Sequence, residues 1–415
     1  MRRDNRKDTR TVSLSAPVAG LEIGTSRTVI AIGEARDDGR LEVTALGSIP
    51  STGVRKSQII EMTQTRYSIE SVLKKLDDQF GYTIGHACLA VSGPQVRTTF
   101  MSTQWQLERG FVHDDDIAEI NARAEETNLP PERTQLELHP ISYSLDEQPD
   151  ITSPKGMHGN LLKLRSLCIH GATQRINDAR AAAAKAAKLE ITQLCFAGTC
   201  AANAVLTPQD RREGTLVIDL GGGSTTFTAW AGGHLVYAGV LGVGGDHVTN
   251  DIHTAFGISR DQADQIKASS ASALVAAEDG SIRVPVPSPM PGFKAASISR
   301  RALNTVVNAR MQELFTIIRS KLDDENILHI LNGGVVLTGG GAALTNVVQL
   351  AQSVFGCSAR LGSIIPDVQG LEKVTSAPPF ACATIVGLLL RASAVESKPS
   401  FMDSFAGIFK GVFRT

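Results

Sequence analysis

The sequence predicts a two-lobed α/β body with a small α+β insert and an amphipathic helix near its C-terminal end. Three observations carry this. The stretch Thr215 to Trp230, TLVIDLGGGSTTFTAW, is an apolar run ending at the acid Asp219. It passes through Gly221, Gly222 and Gly223 and the hydroxyls Ser224, Thr225 and Thr226, then returns to alternation at Phe227 and Ala229, as a hairpin does. Near the start, VAGLEIGTSRTVIAIG repeats the design. Leu21-Glu22-Ile23-Gly24-Thr25 lies on Ile218-Asp219-Leu220-Gly221-Gly222, acid on acid and glycine on glycine, which is the sign of an internal duplication. Thirdly, SFMDSFAGIFKGVFRT places Phe401, Phe405, Phe409 and Phe413 at i, i+4 spacing.

Glycine lets backbone N–H groups approach a ligand with no Cβ in the way. Successive amides in such a turn make an anion-binding nest, and a strand-end carboxylate can hold a cation that bridges phosphates. One such hairpin is equally a tight turn with no ligand; two facing across a cleft suit a polyphosphate clamped from both sides. The phosphate candidates are Gly24, Thr25 and Ser26 with Gly221, Gly222, Gly223, Ser224 and Thr225, and the cation candidates are Glu22 and Asp219.

A length of 415 residues suits two domains or one bilobal body, and 42% hydrophobic with 20% charged residues is a globular composition. The net charge of −1 gives no reason to expect nucleic acid. Six scattered cysteines without a CxxC pair read as buried hydrophobes in a reducing compartment. No apolar run reaches the roughly 20 residues that span a bilayer. The basic N-terminus has no following apolar core, so no secretory signal is expected and the cytoplasm is the expected location.

In chain order, residues 1–16 are polar and basic-biased, the composition of a disordered tail. The first hairpin is followed by a strand at Leu41–Ile49, a helix over Thr65–Phe80 closed by Gly81, and a short buried strand at Ala87–Ser92. Between 96 and 175, alternating strands at Ser102–Leu107, Leu136–Leu145 and Leu161–Ile169 surround a helix over Asp114–Asn128, with an exposed loop expected at Gln148–Asn160. An alanine-rich helix (Thr173–Lys188), a strand (Ile191–Ala197), a helix (Cys200–Leu206) and a polar turn (Thr207–Gly214) lead into the second hairpin. Beyond it come a strand at Leu235–Val240 and a helix opened by Gly242, Val243, Gly244 and Gly245, whose start is a ready anion site. Helices are expected at Arg260–Ala273 and Ser299–Asp324. The third glycine element, GGVVLTGGGAALTNVVQ, runs a buried strand through Gly339, Gly340 and Gly341 into a helix; apolar residues after the glycines suit a flat ring better than a phosphate. A core helix at Ala381–Arg391 precedes a linker, Ala392–Pro399.

The closing phenylalanines, with Met402, Ile408 and Val412, form one apolar stripe, and Lys410 and Arg414 lie off it. At about 1.5 Å per residue the segment is too short to cross about 30 Å of hydrocarbon, but it suits a helix lying in the membrane interface. Docking on a protein groove is the alternative.

LEIGTSRT, VIDLGGGSTT and VVLTGGGAALTNVVQLA, with LCFAGTCAANAVLTPQD, GVGGDHVTNDI, ADQIK and ATIVGLLLRA, resemble the motifs of the FtsA family of actin-like cell-division proteins over about 17–415. The resemblance implies an actin-like ATPase fold divided into subdomain 1A (17–95 and 176–213), the inserted 1C (96–175), 2A (214–248 and 333–391) and 2B (249–332). It implies ATP and Mg²⁺ as cofactors, Asp219 organising metal and water, and Asp264 and Lys267 at ribose and base. It further implies self-polymerisation on the inner membrane and tethering of the tubulin-like FtsZ, along with other division proteins. Arg300, Arg301 and Arg310 are the expected grip for the acidic FtsZ C-terminal peptide. Glu22 stands where the wider superfamily has Asp, and Phe227 is assigned the place of a family Asp, so slow ATP turnover is expected. A pilus-assembly relative and a small-molecule kinase on the same fold are the alternatives, and the aromatic tail argues against both.

Overall fold

The structure, a computed structural model, describes residues 17–126, 129–287 and 297–396. The tail expected at 1–16 and the phenylalanine stripe from Phe401 onward lie outside them. Five strands of each main sheet repeat one plan, and in the first sheet a sixth, Val368–Gln369, pairs in parallel with Leu41–Pro50. In the first, β1 (Val18–Ile23), β2 (Arg27–Ala35) and β3 (Leu41–Pro50) form an antiparallel meander, and β4 (His86–Val91) and β5 (Glu190–Phe196) add in parallel beyond β1. In the second, β6 (Thr215–Leu220), β7 (Thr225–Ala231) and β8 (His234–Leu241) form the meander, and β9 (Gly334–Thr338) and β10 (Ala359–Leu361) add in parallel beyond β6. The orders are β3-β2-β1-β4-β5 and β8-β7-β6-β9-β10. A duplication legible as five residues therefore extends through five strands of each sheet.

The hairpins match in detail. Glu22 pairs with Val29 and Asp219 with Thr226, each acid opposite the residue seven places on. Gly24 N–H donates to Arg27 O at 3.0 Å and Gly221 N–H to Ser224 O at 3.1 Å, closing the same turn.

Helices cover the sheets with stripes of three-and-four spacing. Met62–Phe80 buries Ile69, Val72 and Leu76 and ends at Gly81, whose φ of 70° is the left-handed cap that glycine adopts without a Cβ penalty. Arg300–Asp324 buries Leu303, Val307, Met311, Leu314, Ile318 and Leu322 in the second lobe. Ala197–Val205 and Ala383–Glu396 belong to a core that draws residues from both sheets. They cross so closely that a Cβ on Gly387 would lie 1.7 Å from Cys200 O.

The insert has its own antiparallel sheet of Arg97–Gln106, Leu161–Ala172, Arg133–Leu145 and Gln148–Ile151, with the helix Asp114–Glu125 packed on it around Leu107, Ile120, Tyr143, Leu162 and Leu164. A buried carboxylate fastens it to the body. Glu137 accepts from Phe196 N and Thr199 Oγ1, both at 2.9 Å, at the start of the Ala197–Val205 helix. It also meets His139 Nε2 at 2.7 Å and Arg391 Nη2 of the last helix at 3.5 Å.

Three expectations change. Gln148–Asn160, expected as exposed loop, begins with a short edge strand, Gln148–Ile151, where Pro149 loses no ladder bond that matters. Thr207–Gly214, expected as a turn, holds the helix Pro208–Glu213, because the Thr207 and Asp210 side chains cap each other's backbone N–H groups and Pro208 presets the first turn. The last helix runs to Glu396 rather than yielding to a linker at Ala392.

Candidate functional site

The two glycine turns meet tip to tip between the lobes. A Cβ on Gly222 would lie 1.9 Å from Ser26 Oγ, and one on Gly223 would lie 2.4 Å from Thr25 Oγ1 and 2.9 Å from the Lys56 backbone. Only glycine permits this approach. Below and beside the turns lie two cavities of about 530 and 570 Å³ that share Ser26, Gly221, Gly222, Gly340 and Ala343 in their walls. The first reaches Glu22, Asp219, Thr226 and Thr384; the second reaches Gly244, Gly245, Thr249, Asp264 and Lys267.

Glu22 and Asp219 face each other at the floor. Asp219 accepts from Thr384 Oγ1 at 3.0 Å and Thr338 Oγ1 at 3.3 Å, yet burial outweighs these bonds and raises its pKa. Burial, then the Asp219 charge, pushes Glu22 up to about 8. Glu22 is therefore protonated at neutral pH, and a cation between the two carboxylates would displace that proton. A raised carboxyl pKa means that folding stability is fully present below the unfolded value of about 4.5 and is lost as pH rises through about 8. The ligand-free protein is expected to melt progressively lower between pH 5 and 8, and Glu22→Gln to flatten that slope. Melting curves across this range check it; an unchanged slope in the variant would assign the pH dependence elsewhere.

The other candidates fall into place around this floor. Thr25 Oγ1 accepts from Ser57 N, and Ser224 Oγ lies 3.0 Å from Ser57 Oγ, while Thr225 Oγ1 is committed to Val243 O. The amides of Gly244 and Gly245, expected as open anion donors, donate to His247 Nδ1 at 3.2 Å and Gly221 O at 3.0 Å, and that of Asp246 to Gly222 O at 2.8 Å, so this helix start braces the second hairpin. Of the third glycine element, Gly339 and Gly341 press on Asp219 and Leu220, and Gly340 opens onto both cavities. Burial opposes ionisation of Asp264, but the Lys267 hydrogen bond at 2.6 Å prevails and holds its pKa below the usual range.

The position assigned to a missing acid needs correction. Phe227 is buried among Ile218, Tyr237 and Gly239, on the sheet face away from the cleft. The residue that pairs with Asp219 and lines the floor is Thr226, 2% exposed, whose hydroxyl has no protein partner. Ser57, which joins the two hairpins, was not among the sequence candidates, because nothing in Lys-Ser announces a turn. Arg310 pairs with Asp251 at 2.6 and 3.0 Å, Arg300 lies 3.0 Å from Asp279, and Arg301 donates to Ala277 O.

Comparison with known proteins follows this geometry. The family model of the cell division protein FtsA matches residues 216–384, and that of the SHS2 domain inserted in FtsA matches 93–170. The cell division protein FtsA of Pseudomonas aeruginosa is 30% identical over 379 residues, 90% of this chain and 88% of its own. The chain belongs to the FtsA family. The FtsA proteins of Escherichia coli K12 and Bacillus subtilis are each 29% identical, over 90% and 83% of this chain and 89% and 78% of their own lengths. Among solved structures, a PilM–PilN type IV pilus biogenesis complex superposes with a TM-score of 0.64 at 16% identity, covering 92% of this chain and 99% of that one. MreB5 of Spiroplasma citri bound to ADP gives 0.51 at 12% identity, covering 92% and 98%. The fold is the actin-like ATPase fold, carrying the SHS2 domain inserted in FtsA. No helix among the described residues is long and apolar enough to cross a membrane.

Proposed function

We propose that this member of the FtsA family binds ATP with Mg²⁺ between its lobes, polymerises on the inner face of the cytoplasmic membrane and tethers FtsZ filaments there. The observation that carries the nucleotide reading is the meeting of two glycine tips over a pair of carboxylates, one of them held protonated. The residues fit the group. The cradle excludes side chains, the acids await a cation, and the Thr226 hydroxyl lacks a protein partner. Gly24, Thr25, Ser26 and Gly221 to Ser224 would hold phosphates, Asp264 and Lys267 the ribose and base, and Gly340 a face of the base. Bound Mg²⁺ would neutralise phosphate charge; Glu22 and Asp219 would hold it directly or through water.

Turnover should be slow, because a neutral hydroxyl at Thr226 is a poor acceptor for a proton from water. The nucleotide then stabilises the closed arrangement of the lobes by linkage. The phenylalanine stripe supplies membrane attachment, and the face spanning 249–332, where Arg301, unlike Arg300 and Arg310, has no carboxylate among its described bonds, takes the acidic FtsZ peptide. Electron microscopy of the full chain with ATP on a lipid monolayer tests the reading. Ordered filaments that recruit FtsZ are expected; dispersed monomers that leave FtsZ in solution would overturn it.

A further inference from the structure

The short hairpin Val54-Arg55 and Gln58-Ile59 pairs Val54 with Ile59 and Arg55 with Gln58, leaving Lys56 and Ser57 as a two-residue loop. Their φ angles are 50° and 55°. Such a loop favours Asn-Gly, since both residues must enter the left-handed region. A lysine and a serine there hold backbone strain that the surroundings must over-determine, and strain of this kind gathers at ligand clamps and switches. The surroundings are the two phosphate hairpins. Ser57 N–H donates to Thr25 Oγ1 of the first at 2.8 Å, and Ser57 Oγ lies 3.0 Å from Ser224 Oγ of the second. The Lys56 backbone rests where Gly223 has no Cβ, and Gly93, itself at φ 98°, leaves room behind the loop. One strained residue thus bonds the hydroxyls on both sides of the gap.

We infer that Ser57 is the residue by which the cleft distinguishes a nucleoside triphosphate from a diphosphate, its amide and hydroxyl turning from Thr25 and Ser224 to the terminal phosphate. This rests on the nucleotide reading above. The hydroxyls it now joins are those flanking the gap between the turns, and a phosphoryl group placed between them competes for the same donors. A diphosphate that does not reach the gap leaves the Ser57 bridge intact, so the loop responds only to the longer ligand.

Calorimetry of the full chain with Mg²⁺ and either ATP or ADP, alongside thermal melts without ligand, tests this in wild type, Ser57→Gly and Ser57→Ala. Glycine relieves the left-handed strain, so Ser57→Gly should melt higher than wild type. It should also lose preference for ATP over ADP by about tenfold, the worth of one hydrogen bond to a charged group. Ser57→Ala keeps the strain and should lose preference without gaining stability. A purely structural role would not move the ATP-to-ADP ratio. An unchanged ratio in both variants, with both nucleotides still bound, overturns the inference and leaves the nucleotide reading standing. A wild type that binds neither nucleotide overturns both.

Discussion

Glu137→Ala is expected to destabilise the protein by about 3 kcal/mol at pH 7, because removing one partner of a buried ion pair leaves the other uncompensated. The Glu137 side chain is 2% exposed and that of Arg391 31%. The arginine therefore keeps some hydration, which places the cost at the low end of the range for buried pairs. The loss is not only electrostatic. Glu137 supplies the acceptor for Phe196 N and Thr199 Oγ1, so the entry to the Ala197–Val205 helix is left with unpaired buried donors and the insert loses its fastening. Burial alone would raise the Glu137 carboxyl; the Arg391 charge, then the His139 hydrogen bond and charge and the Phe196 amide, hold it near 2. With a depressed pKa, the stabilisation is present above the unfolded value of about 4.5 and is lost as pH falls towards 2. Wild type and variant should thus converge in acid. Melting within a degree of wild type at pH 7 would show that the pair is energetically idle.

Truncation after Val395 is expected to abolish co-sedimentation with anionic liposomes while leaving a folded body. Four phenylalanine rings at roughly 150 Å² or more each give on the order of 10 kcal/mol of gross attraction at about 25 cal/mol per Å². Lys410 and Arg414 add only about 1 kcal/mol each at an anionic surface. The apolar contribution dominates, so wild-type binding should survive moderate salt better than a polybasic tail would. Nearly all of the Ala383–Glu396 helix remains in the shortened chain, and with it Thr384 on Asp219 and Arg391 on Glu137. A truncated chain that pellets as wild type does would make the stripe a docking element for a protein groove.

The second hairpin and its twin were legible because their chemistry is local: acid, glycine and hydroxyl at fixed offsets. What was missed is non-local or turns on a single step of register. Side chains in a strand alternate faces, so assigning the cleft position to Phe227 instead of Thr226 places a core ring where a hydroxyl belongs. Ser57 was invisible because its role is set by two residues far away in sequence, Thr25 and Ser224, and by a φ that Lys-Ser does not advertise. Glu137 sits in a strand of ordinary alternation, and only the fold brings it to a helix start and a distant arginine. The Pro208–Glu213 helix did carry a local signal in Thr207, Pro208 and Asp210, which the polar character of the segment obscures. The extension of the last helix past Arg391 has no apolar residue to announce it except Val395, since Ala392, Ser393 and Ala394 are neutral to the pattern.

The last helix spans 14 residues, about 21 Å. Near its first turn Thr384 holds the acid at the cleft floor, midway Gly387 is locked against Cys200, and Arg391 grips the insert before the chain departs toward the tail. It is a rod with a fulcrum. One helix therefore ties the acid at the cleft floor to the buried carboxylate of the insert, so a shift of either end is felt at the other.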